Sequence, residues 1–360
     1  MTSRERVTSL LRHELPDRMG LYEHFWPETL AEYWPREGYP EGQAPETHFG
    51  YDIVNCGGWF NSEPCPGRHE VLDETDEWRV VRDGRGAALK YWKHKSGTPE
   101  HIGFTITTPE AWRDVRESLL TVDRGRLGDP VAARAAIAAA RESGRYAVFG
   151  NLFVFELMRA TIGDENFLPA LLTEPDWIRD FCQVYLDSYR AHYEVLFRES
   201  GLPDGFFVYE DLGYRNGLFC SPKVLADLVM PYEAAFVGFL KDYGLPVILH
   251  SCGDIRRAVP LLVEAGFDCL QPMEAKAGCD VVQIASEFGS RLAYMGNIDV
   301  VALTTNDRDT VRDAVVPKLR RLKEMRVPYF FHSDHSIPPN VRLDTYGYAL
   351  DLLREHGTYA

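Results

Sequence analysis

His250 and Cys252 are the residues of this chain whose types and spacing best suit chemistry. They follow the apolar run Leu245–Leu249, which is typical of a buried strand, and they precede an amphipathic helical pattern over Asp254–Ala265. An imidazole and a thiolate two residues apart, where a strand opens into a loop, can point at one metal ion. Either residue alone is also common in packed cores, where cysteine behaves as a small hydrophobe. Together they predict the beginning of a catalytic zinc site that needs a third ligand from another segment.

A second group of polar side chains follows the apolar stretch Tyr329–Phe331. It contains His332, Asp334 and His335, and it ends at Pro338-Pro339. Two parallel strands that both end in such residues would face each other across the mouth of a barrel or sheet. This second segment strengthens the expectation of metal binding.

Alternating strands and helices must position these residues. Buried-type strands are predicted at Tyr146–Gly150, Gly205–Tyr209, Leu245–Leu249, Cys269–Pro272, Leu292–Gly296 and Tyr329–Phe331, and the main helices at Val131–Ser143, Asp176–Glu199 and Pro222–Tyr243. Crossover helices imply parallel strands, and five or more successive units favour a closed (β/α)8 barrel over an open doubly wound sheet. Neither a G-x-G-x-x-G motif after the first strand nor a Walker lysine motif is present, so the main ligand signal of the doubly wound fold is missing.

The first 108 residues are less regular. They are predicted to contain a helix at Glu5–His13, a strand at Met19–Phe25, a helix at Pro27–Trp34, and a β-hairpin made by Glu77–Asp83 and Ala87–Lys93. The predicted fold class is therefore α/β. We expect one TIM-type barrel domain over residues 1–360, with an elaborated N-terminal part (1–108) and regular βα units (109–360).

Composition excludes several classes of protein. The chain has 39 basic and 54 acidic side chains and a formal net charge of −15, which argues against nucleic acid or an anionic membrane as a partner. No apolar run approaches the roughly 20 residues of a membrane span, and no signal-type segment follows Met1. Seven scattered cysteines, an odd number, do not form a secreted disulfide framework. We expect a cytoplasmic protein.

In a (β/α)8 barrel the functional side chains gather at the carboxyl ends of the strands. The polar or aromatic residues predicted there are Asn151, Phe153, Glu210, Asp211, His250, Cys252, Gln271, Asn297, Asp299 and His332 to His335. Glu210 is equally consistent with a proton donor, a fourth metal ligand or a cap of the next segment. Asn297 and Asp299 either line the pocket or fix their loop by Asx-type hydrogen bonds.

The strand-end series resembles the uroporphyrinogen decarboxylase superfamily, and more closely its zinc- and cobalamin-dependent methyltransferase branch. The motifs that carry the resemblance are Glu210-Asp211, His250-Ser251-Cys252-Gly253, Gly296-Asn297-Ile298-Asp299 and the segment from His332 to Pro339. It covers residues 205–356 best and extends thinly to Pro16-Asp17-Arg18. The resemblance implies a (β/α)8 barrel with N-terminal additions, as the pattern of elements also predicts.

The resemblance also separates decarboxylase from methyltransferase. The decarboxylases carry an Arg-Gln-Ala-Gly-Arg-Tyr segment after the first strand, which holds the carboxylates of the tetrapyrrole. Residues 22–28 of this chain occupy that place with two acids and no arginine. A polyanionic porphyrinogen would therefore meet no cationic clamp, and decarboxylation of uroporphyrinogen is not expected.

The methyltransferases of this branch hold zinc with His-x-Cys and with a cysteine shortly before Pro-Pro. His250 and Cys252 match the first part, and His335 stands where the second cysteine would be. The resemblance thus implies a zinc site made by His250, Cys252 and His335. Replacing a thiolate by a neutral imidazole would make the zinc more Lewis acidic, which favours an oxygen- or nitrogen-bound methyl group over a thiol.

The implied activity is the transfer of a methyl group between a small O-, N- or S-methyl compound, or a thiol, and methylcobalamin or another corrinoid carried by a partner protein. Glu210 and Asp211 are the candidate catalytic residues. The sequence leaves the oligomeric state open, with a homo-oligomer as one possibility. The candidate substrate-binding residues are Asn151, Phe153, Tyr214, Asn297, Asp299 and His332. Two alternatives stay open: a metal-free lyase that uses Asp211 and Tyr214 as acid and base, and a non-catalytic corrinoid- or ligand-binding barrel with structural zinc.

Overall fold

Eight parallel strands form the centre of a (β/α)8 barrel, which confirms the predicted fold class. The computed structural model describes residues 1–94 and 97–359. Its strands are β1 (Gly20–Leu21), β2 (Ile53–Asn55), β3 (Glu70–Glu74), β4 (Trp78–Arg82), β5 (Ala87–Trp92), β6 (Glu100–Phe104), β7 (Tyr146–Leu152), β8 (Gly205–Tyr209), β9 (Gly213–Tyr214), β10 (Gly217–Leu218), β11 (Val247–Ser251), β12 (Cys269–Pro272), β13 (Ala293–Met295) and β14 (Tyr329–Phe331). The strand order in the barrel is β1-β14-β13-β12-β11-β8-β7-β2.

The helices lie between and around these strands. They are α1 (Ser3–Leu11), α2 (Pro45–His48), α3 (Pro109–Leu120), α4 (Pro130–Glu142), α5 (Val154–Ile162), α6 (Asp164–Thr173), α7 (Pro175–Ser200), α8 (Pro222–Leu228), α9 (Met230–Asp242), α10 (Val259–Ala265), α11 (Val281–Phe288), α12 (Val300–Thr304), α13 (Arg308–Glu324) and α14 (Leu343–His356). The helix predicted over Pro222–Tyr243 is in fact two helices, because Pro231 lies in the first turn of α9 and favours a helix start there. Residues Thr29–Tyr33 form a π-helical turn within the segment predicted as a helix.

The predicted hairpin belongs to a larger sheet. β4 and β5 pair in antiparallel fashion, as expected, and β3 and β6 add a strand on either side. β1 and β2 also come from the N-terminal 108 residues, so this part of the chain supplies two barrel strands as well as the extra sheet.

The barrel closes where β1 meets β2, at Asp52. The Asp52 amide donates to the Leu21 carbonyl oxygen (2.9 Å), and the Leu21 amide donates to the Asp52 carboxylate (2.8 Å). Arg6 and Arg18 bind the same buried carboxylate at 2.8 and 2.9 Å. The first and last barrel strands of the order above are therefore joined through one charged side chain.

Register brings three side chains together at the mouth of the barrel. His250 on β11 is the direct partner of Gln271 on β12 and of Tyr209 on β8. The strand bodies below them are apolar and buried, so the polar residues are confined to the carboxyl ends. Within the described residues, no helix has both the length and the apolar composition needed to cross a membrane.

Candidate metal centre

Asp211, His250 and Cys252 bring three potential metal ligands together at the mouth of the barrel. One ligand atom of each lies within 4.8 Å of the others. The Cys252 Sγ is 3.6 Å from His250 Nε2, which is 3.7 Å from Asp211 Oδ1. The same carboxylate oxygen accepts a hydrogen bond from the Cys252 amide (2.9 Å), which fixes the Asp211 side chain beside the pair.

Gln271 orients the His250 ring. An amide oxygen can only accept, so the 2.5 Å contact between His250 Nδ1 and Gln271 Oε1 places the proton on Nδ1. The lone pair of Nε2 then faces Asp211 and Cys252, as metal ligation requires. The other end of the same amide, Nε2, donates to His332 (3.1 Å) and lies 3.3 Å from His24.

Burial keeps the surrounding imidazoles neutral. It lowers the pKa of His332 to about 3 and that of His24 well below its ordinary value, and the neighbouring histidines add to the effect. Glu23 lies beside them, and burial raises the pKa of its carboxyl to about 8. This carboxyl accepts hydrogen bonds from the Ser333 amide (2.9 Å) and hydroxyl (2.8 Å). The polar groups behind the cluster thus carry little charge at neutral pH.

The Cys252 thiol is in an environment that opposes its ionisation. Burial raises its pKa well above the ordinary value, and the carboxylates of Asp211 and Glu274 raise it further. A thiolate next to a carboxylate in this place needs a cation to balance the charge. The donor set of one thiol, one imidazole and one carboxylate therefore fits a divalent metal ion such as zinc, whose usual ligands these are.

The three potential ligands face a cavity of about 230 Å³. Its lining residues are His24, Phe25, Trp26, Asp211, His250, Cys252, Gln271, Pro272, His335 and Ser336. Among these described residues there is no lysine or arginine. Pockets for drug-sized ligands typically measure about 300–1,000 Å³. This cavity is smaller, so it suits a small molecule.

His335 lines the same cavity but lies outside the group of three ligand atoms. Its ring stacks on Trp26, with 6.0 Å between the ring centroids and an interplanar angle of 20°. Burial, and then the charge of Lys276, lower its pKa, so this imidazole is also largely neutral. The zinc ligand role predicted for His335 stays a prediction. The structure brings Asp211 close to the His-x-Cys pair instead.

Glu210 points away from this cavity, because successive side chains at a strand end face opposite sides. Its buried carboxylate accepts hydrogen bonds from the Phe155 amide (3.0 Å) and the Glu156 amide (2.7 Å) at the start of α5. Burial, and then the neighbouring Glu233, raise its pKa well above the ordinary value. These contacts correspond to the capping role, one of the three that the sequence left open, and they do not place Glu210 at the metal cluster.

The other predicted substrate-binding residues have contacts of several kinds. The side-chain amide of Asn297 donates to the carbonyl oxygens of Met273 (2.6 Å) and Cys279 (2.7 Å). The side chain of Asp299 accepts from the backbone amide of Val301 (2.8 Å) at the start of α12. Both therefore fix loops. Phe153 is fully buried, Tyr214 is half-exposed, and Asn151 donates to the hydroxyl of Tyr193 (3.0 Å). His332 alone in this group contacts the Gln271 amide behind the cluster.

His24 and Trp26 also line the cavity, although His24 was given no role from the sequence and Trp26 was predicted to pack over one end of the core. Both follow β1, a strand of two residues that the sequence outlines only broadly. Their position after the first strand was the available signal, since carboxyl ends of barrel strands meet at one mouth. Gln271 was recognised as a strand-end residue, but not as the partner of His250.

Comparison with known proteins adds a family and a shared fold. A family model described as uroporphyrinogen decarboxylase (URO-D) matches residues 108–356. No curated protein sequence matches the chain. Among solved structures, a methyltransferase from Methanosarcina mazei is similar, with a TM-score of 0.65, 13% identity and coverage of 99% of each chain. An endo-1,4-β-D-mannanase from Thermotoga petrophila is also similar, with a TM-score of 0.42, 10% identity and coverage of 96% of this chain and 87% of that chain.

Proposed function

This chain belongs to the uroporphyrinogen decarboxylase family, and we propose that it is a zinc-dependent methyltransferase. In this proposal it moves a methyl group between a small O-, N- or S-methyl compound, or a thiol, and a corrinoid carried by a separate protein. The observation that carries the proposal is the group of Asp211, His250 and Cys252 at the mouth of the barrel. The corrinoid partner follows from the resemblance of the strand-end motifs to the methyltransferase branch.

The cavity argues against decarboxylation of a tetrapyrrole. Uroporphyrinogen carries many carboxylates, and the described residues that line this cavity, where the reacting atoms would lie, include no cationic side chain to balance them. Its acidic member, Asp211, would repel the substrate. The volume of about 230 Å³ also favours a much smaller molecule.

The chemistry of the site follows from its donor set. A bound zinc ion would polarise the heteroatom that carries the methyl group and so make that heteroatom a better leaving group. Gln271 holds the His250 ring with Nε2 towards the ion, and the Cys252 amide holds the Asp211 carboxylate in place. If Asp211, His250 and Cys252 held a zinc ion, a tetrahedral site would keep one coordination place for substrate, as catalytic zinc sites do.

Asp211 as the third ligand changes the expected direction of reactivity. Cysteine and aspartate together give the site two negative charges, as the His-Cys-Cys set of the methyltransferase branch would. With His335 as the third ligand the site would have one negative charge and a more Lewis acidic ion. With Asp211 as the third ligand, the site therefore suits methylation of a thiol as well as it suits demethylation of an oxygen or nitrogen compound.

His335 and the aromatic side chains complete the cavity. The neutral imidazole of His335 can accept the proton that a heteroatom loses when it gains the methyl group. Phe25 and Trp26 line the same space and limit the access of water to the reacting atoms.

Metal analysis of the purified protein tests the site. We expect about one zinc ion per chain in the wild type, and loss of that zinc in H250A, C252S and D211N. The controls C220S and H48A lie outside the cluster and should retain zinc. H335A should also retain it. Stoichiometric zinc in H250A and C252S would contradict the site, and loss of zinc in H335A with retention in D211N would return the third ligand role to His335.

The absorption spectrum of cobalamin tests methyl transfer separately. Zinc-loaded protein should demethylate methylcobalamin with a thiol, or methylate cob(I)alamin from methoxy or methylamine compounds, and C252S should do neither. A protein that binds zinc through the proposed residues but moves no methyl group in either direction would contradict the methyltransferase and leave the metal site standing.

A further inference from the structure

A second cavity, of about 470 Å³, opens at the same mouth of the barrel. It lies where β7 ends at Asn151 and Leu152, and residues from three connecting segments cover it: Trp59 to Glu63, Arg85 and Arg126. None of these residues belongs to the metal cluster or to the lining of the first cavity. The second cavity therefore needs an explanation of its own.

Arg126 is a buried cation in the wall of this cavity, with 4% of its surface exposed. Its guanidinium donates to the carbonyl oxygens of Asn61 (3.1 Å), Glu63 (2.6 Å) and Ser118 (3.1 Å). Within the described chain no carboxylate lies within ion-pair distance of it, and its Nε has no hydrogen-bond partner. Buried charges are normally paired, so this guanidinium is short of a negative partner.

Arg85 adds a second guanidinium to the same wall. Its contact with the Asp83 carboxylate is long, at 3.5 Å, and its Nε is buried without a partner. The described lining residues thus include two guanidinium groups and one carboxylate, that of Glu63, which accepts a hydrogen bond from the Asn61 side chain (3.1 Å). In a chain with a net charge of −15, this part of the mouth favours an anion.

Trp59 connects the second cavity to the metal cluster. Its ring stacks on Tyr209, with 5.7 Å between centroids, and Tyr209 lies 5.3 Å from the ring of His250. The indole is nevertheless 44% exposed, so one face is free. The preceding residue, Gly58, has a φ of +84° that favours glycine, and its carbonyl oxygen accepts from the Tyr193 hydroxyl (2.8 Å). The tryptophan is thus held in place beside the opening.

We propose that the second cavity binds the anionic end of the substrate, and that the substrate is an aromatic organic acid. Its carboxylate lies near Arg85 and Arg126, its ring lies against Trp59, and its methylated or methyl-accepting heteroatom extends past Tyr209 towards the metal cluster. The part of this inference that concerns the heteroatom rests on the proposed methyl transfer. The part that concerns the carboxylate does not, because it requires neither zinc nor a corrinoid.

Calorimetric binding of three probes to the full chain tests the subsite. Benzoate and 4-methoxybenzoate should bind to both metal-free and zinc-loaded protein, and neutral methoxybenzene should bind at least tenfold more weakly. R85Q and W59A change partly exposed side chains, and each should weaken binding of both carboxylates at least tenfold. R68Q, which replaces an arginine outside the cavity, should leave the affinities unchanged. Added salt should weaken the carboxylates more than the neutral probe.

The outcomes separate this inference from the proposed function. Benzoate binding that persists in C252S, the variant expected to lose zinc, supports the subsite even if no methyl transfer is found. Equal affinity for the neutral and charged probes, unchanged binding in both R85Q and W59A, or absence of carboxylate binding at millimolar concentration would overturn it.

Discussion

One amide side chain organises the polar residues behind the proposed metal. Gln271 accepts a hydrogen bond from His250 and donates one to His332, so it determines which nitrogen of each ring is protonated. In metal sites, such partners fix both the tautomer and the orientation of the ligand. The strand register that makes Gln271 the neighbour of His250 is therefore part of the site.

We predict that Q271L weakens zinc binding by roughly 10- to 100-fold, the usual effect of removing a group that orients a metal ligand. The fold should be retained, because leucine has a similar size. Competition with a chromogenic chelator measures the affinity. Q283L, in helix α11, is the matched control and should bind zinc like the wild type. Equal affinity in Q271L and the control would contradict the orienting role.

Glu23 should make stability depend on pH. Burial raises the pKa of its carboxyl to about 8, above the ordinary glutamate value of about 4.5. Between these values the native state holds a proton that the unfolded state has lost, so stability falls as pH rises, by about 1.4 kcal/mol per pH unit for one group. The lowered pKa of His332 acts in the opposite direction only below about pH 6.5, where an unfolded histidine becomes protonated. Between pH 6.5 and 8, the pH dependence of stability therefore comes from the buried carboxyl groups and not from the histidines.

We predict a smaller loss of stability in E23Q over this window. Glutamine has no proton to lose, so the free energy of unfolding of metal-free E23Q should fall with pH less steeply than that of the wild type. Urea unfolding at pH 6.5 and at pH 8 measures the difference. E28Q, which changes a nearby carboxylate outside this buried group, should keep the wild-type slope. Parallel slopes in E23Q and the wild type would show that Glu23 is ionised throughout.

At the scale of elements, the N-terminal strands depend on a charged link. Asp52 joins β1 to β2 and binds both Arg6 and Arg18, although its side chain is fully buried. His24 and Trp26 follow β1, so this link also determines where one wall of the metal cavity lies.

We predict that D52N lowers the free energy of unfolding by about 3–5 kcal/mol, because Arg6 would be left buried without full charge compensation. Urea denaturation of the metal-free protein measures the change. D309N removes an exposed partner of Arg312 and should cost less than about 1 kcal/mol. A loss in D52N no larger than that in D309N would show that the link is dispensable.

Local pattern was sufficient for the strands that form the middle of the barrel. β8, β11, β12 and β14 are short buried runs bounded by turn residues, and a sequence window detects such runs directly. β2 has three residues, and its apolar run is only Ile53 and Val54, between Asp52 and Asn55, so it was not predicted. Its place as a barrel strand depends on pairing with β7, which no local pattern contains.

The candidate site was predictable only where its residues are close in the sequence. His250 and Cys252 are two residues apart, so their proximity is local and visible in sequence. The approach of Asp211 depends on the pairing of β8 with β11, and that of His24 on closure of the barrel across more than 200 residues. Glu210 and Asp211 could not be told apart by type, and only the direction of each side chain separates a helix cap from a potential ligand.

At the scale of the whole molecule, the barrel mouth has two chemically different halves. One half carries the potential metal ligands and neutral imidazoles, and the other carries two guanidinium groups in an otherwise acidic protein. Trp59 and Tyr209 lie between them. This division gives a substrate both a reacting end and an anchoring end, as catalysis by positioning requires.

X-ray absorption at the zinc K-edge of the loaded protein identifies the metal ligands by element and distance. We expect one sulfur ligand at about 2.3 Å and nitrogen or oxygen ligands at about 2.0–2.2 Å. When a thiol is added, we expect a second sulfur ligand to replace one oxygen ligand. C252S should lose the protein-derived sulfur. A four-ligand site whose spectrum does not change when the thiol is added would contradict a catalytic metal. A spectrum of C252S identical to that of the wild type would contradict a metal held by Asp211, His250 and Cys252.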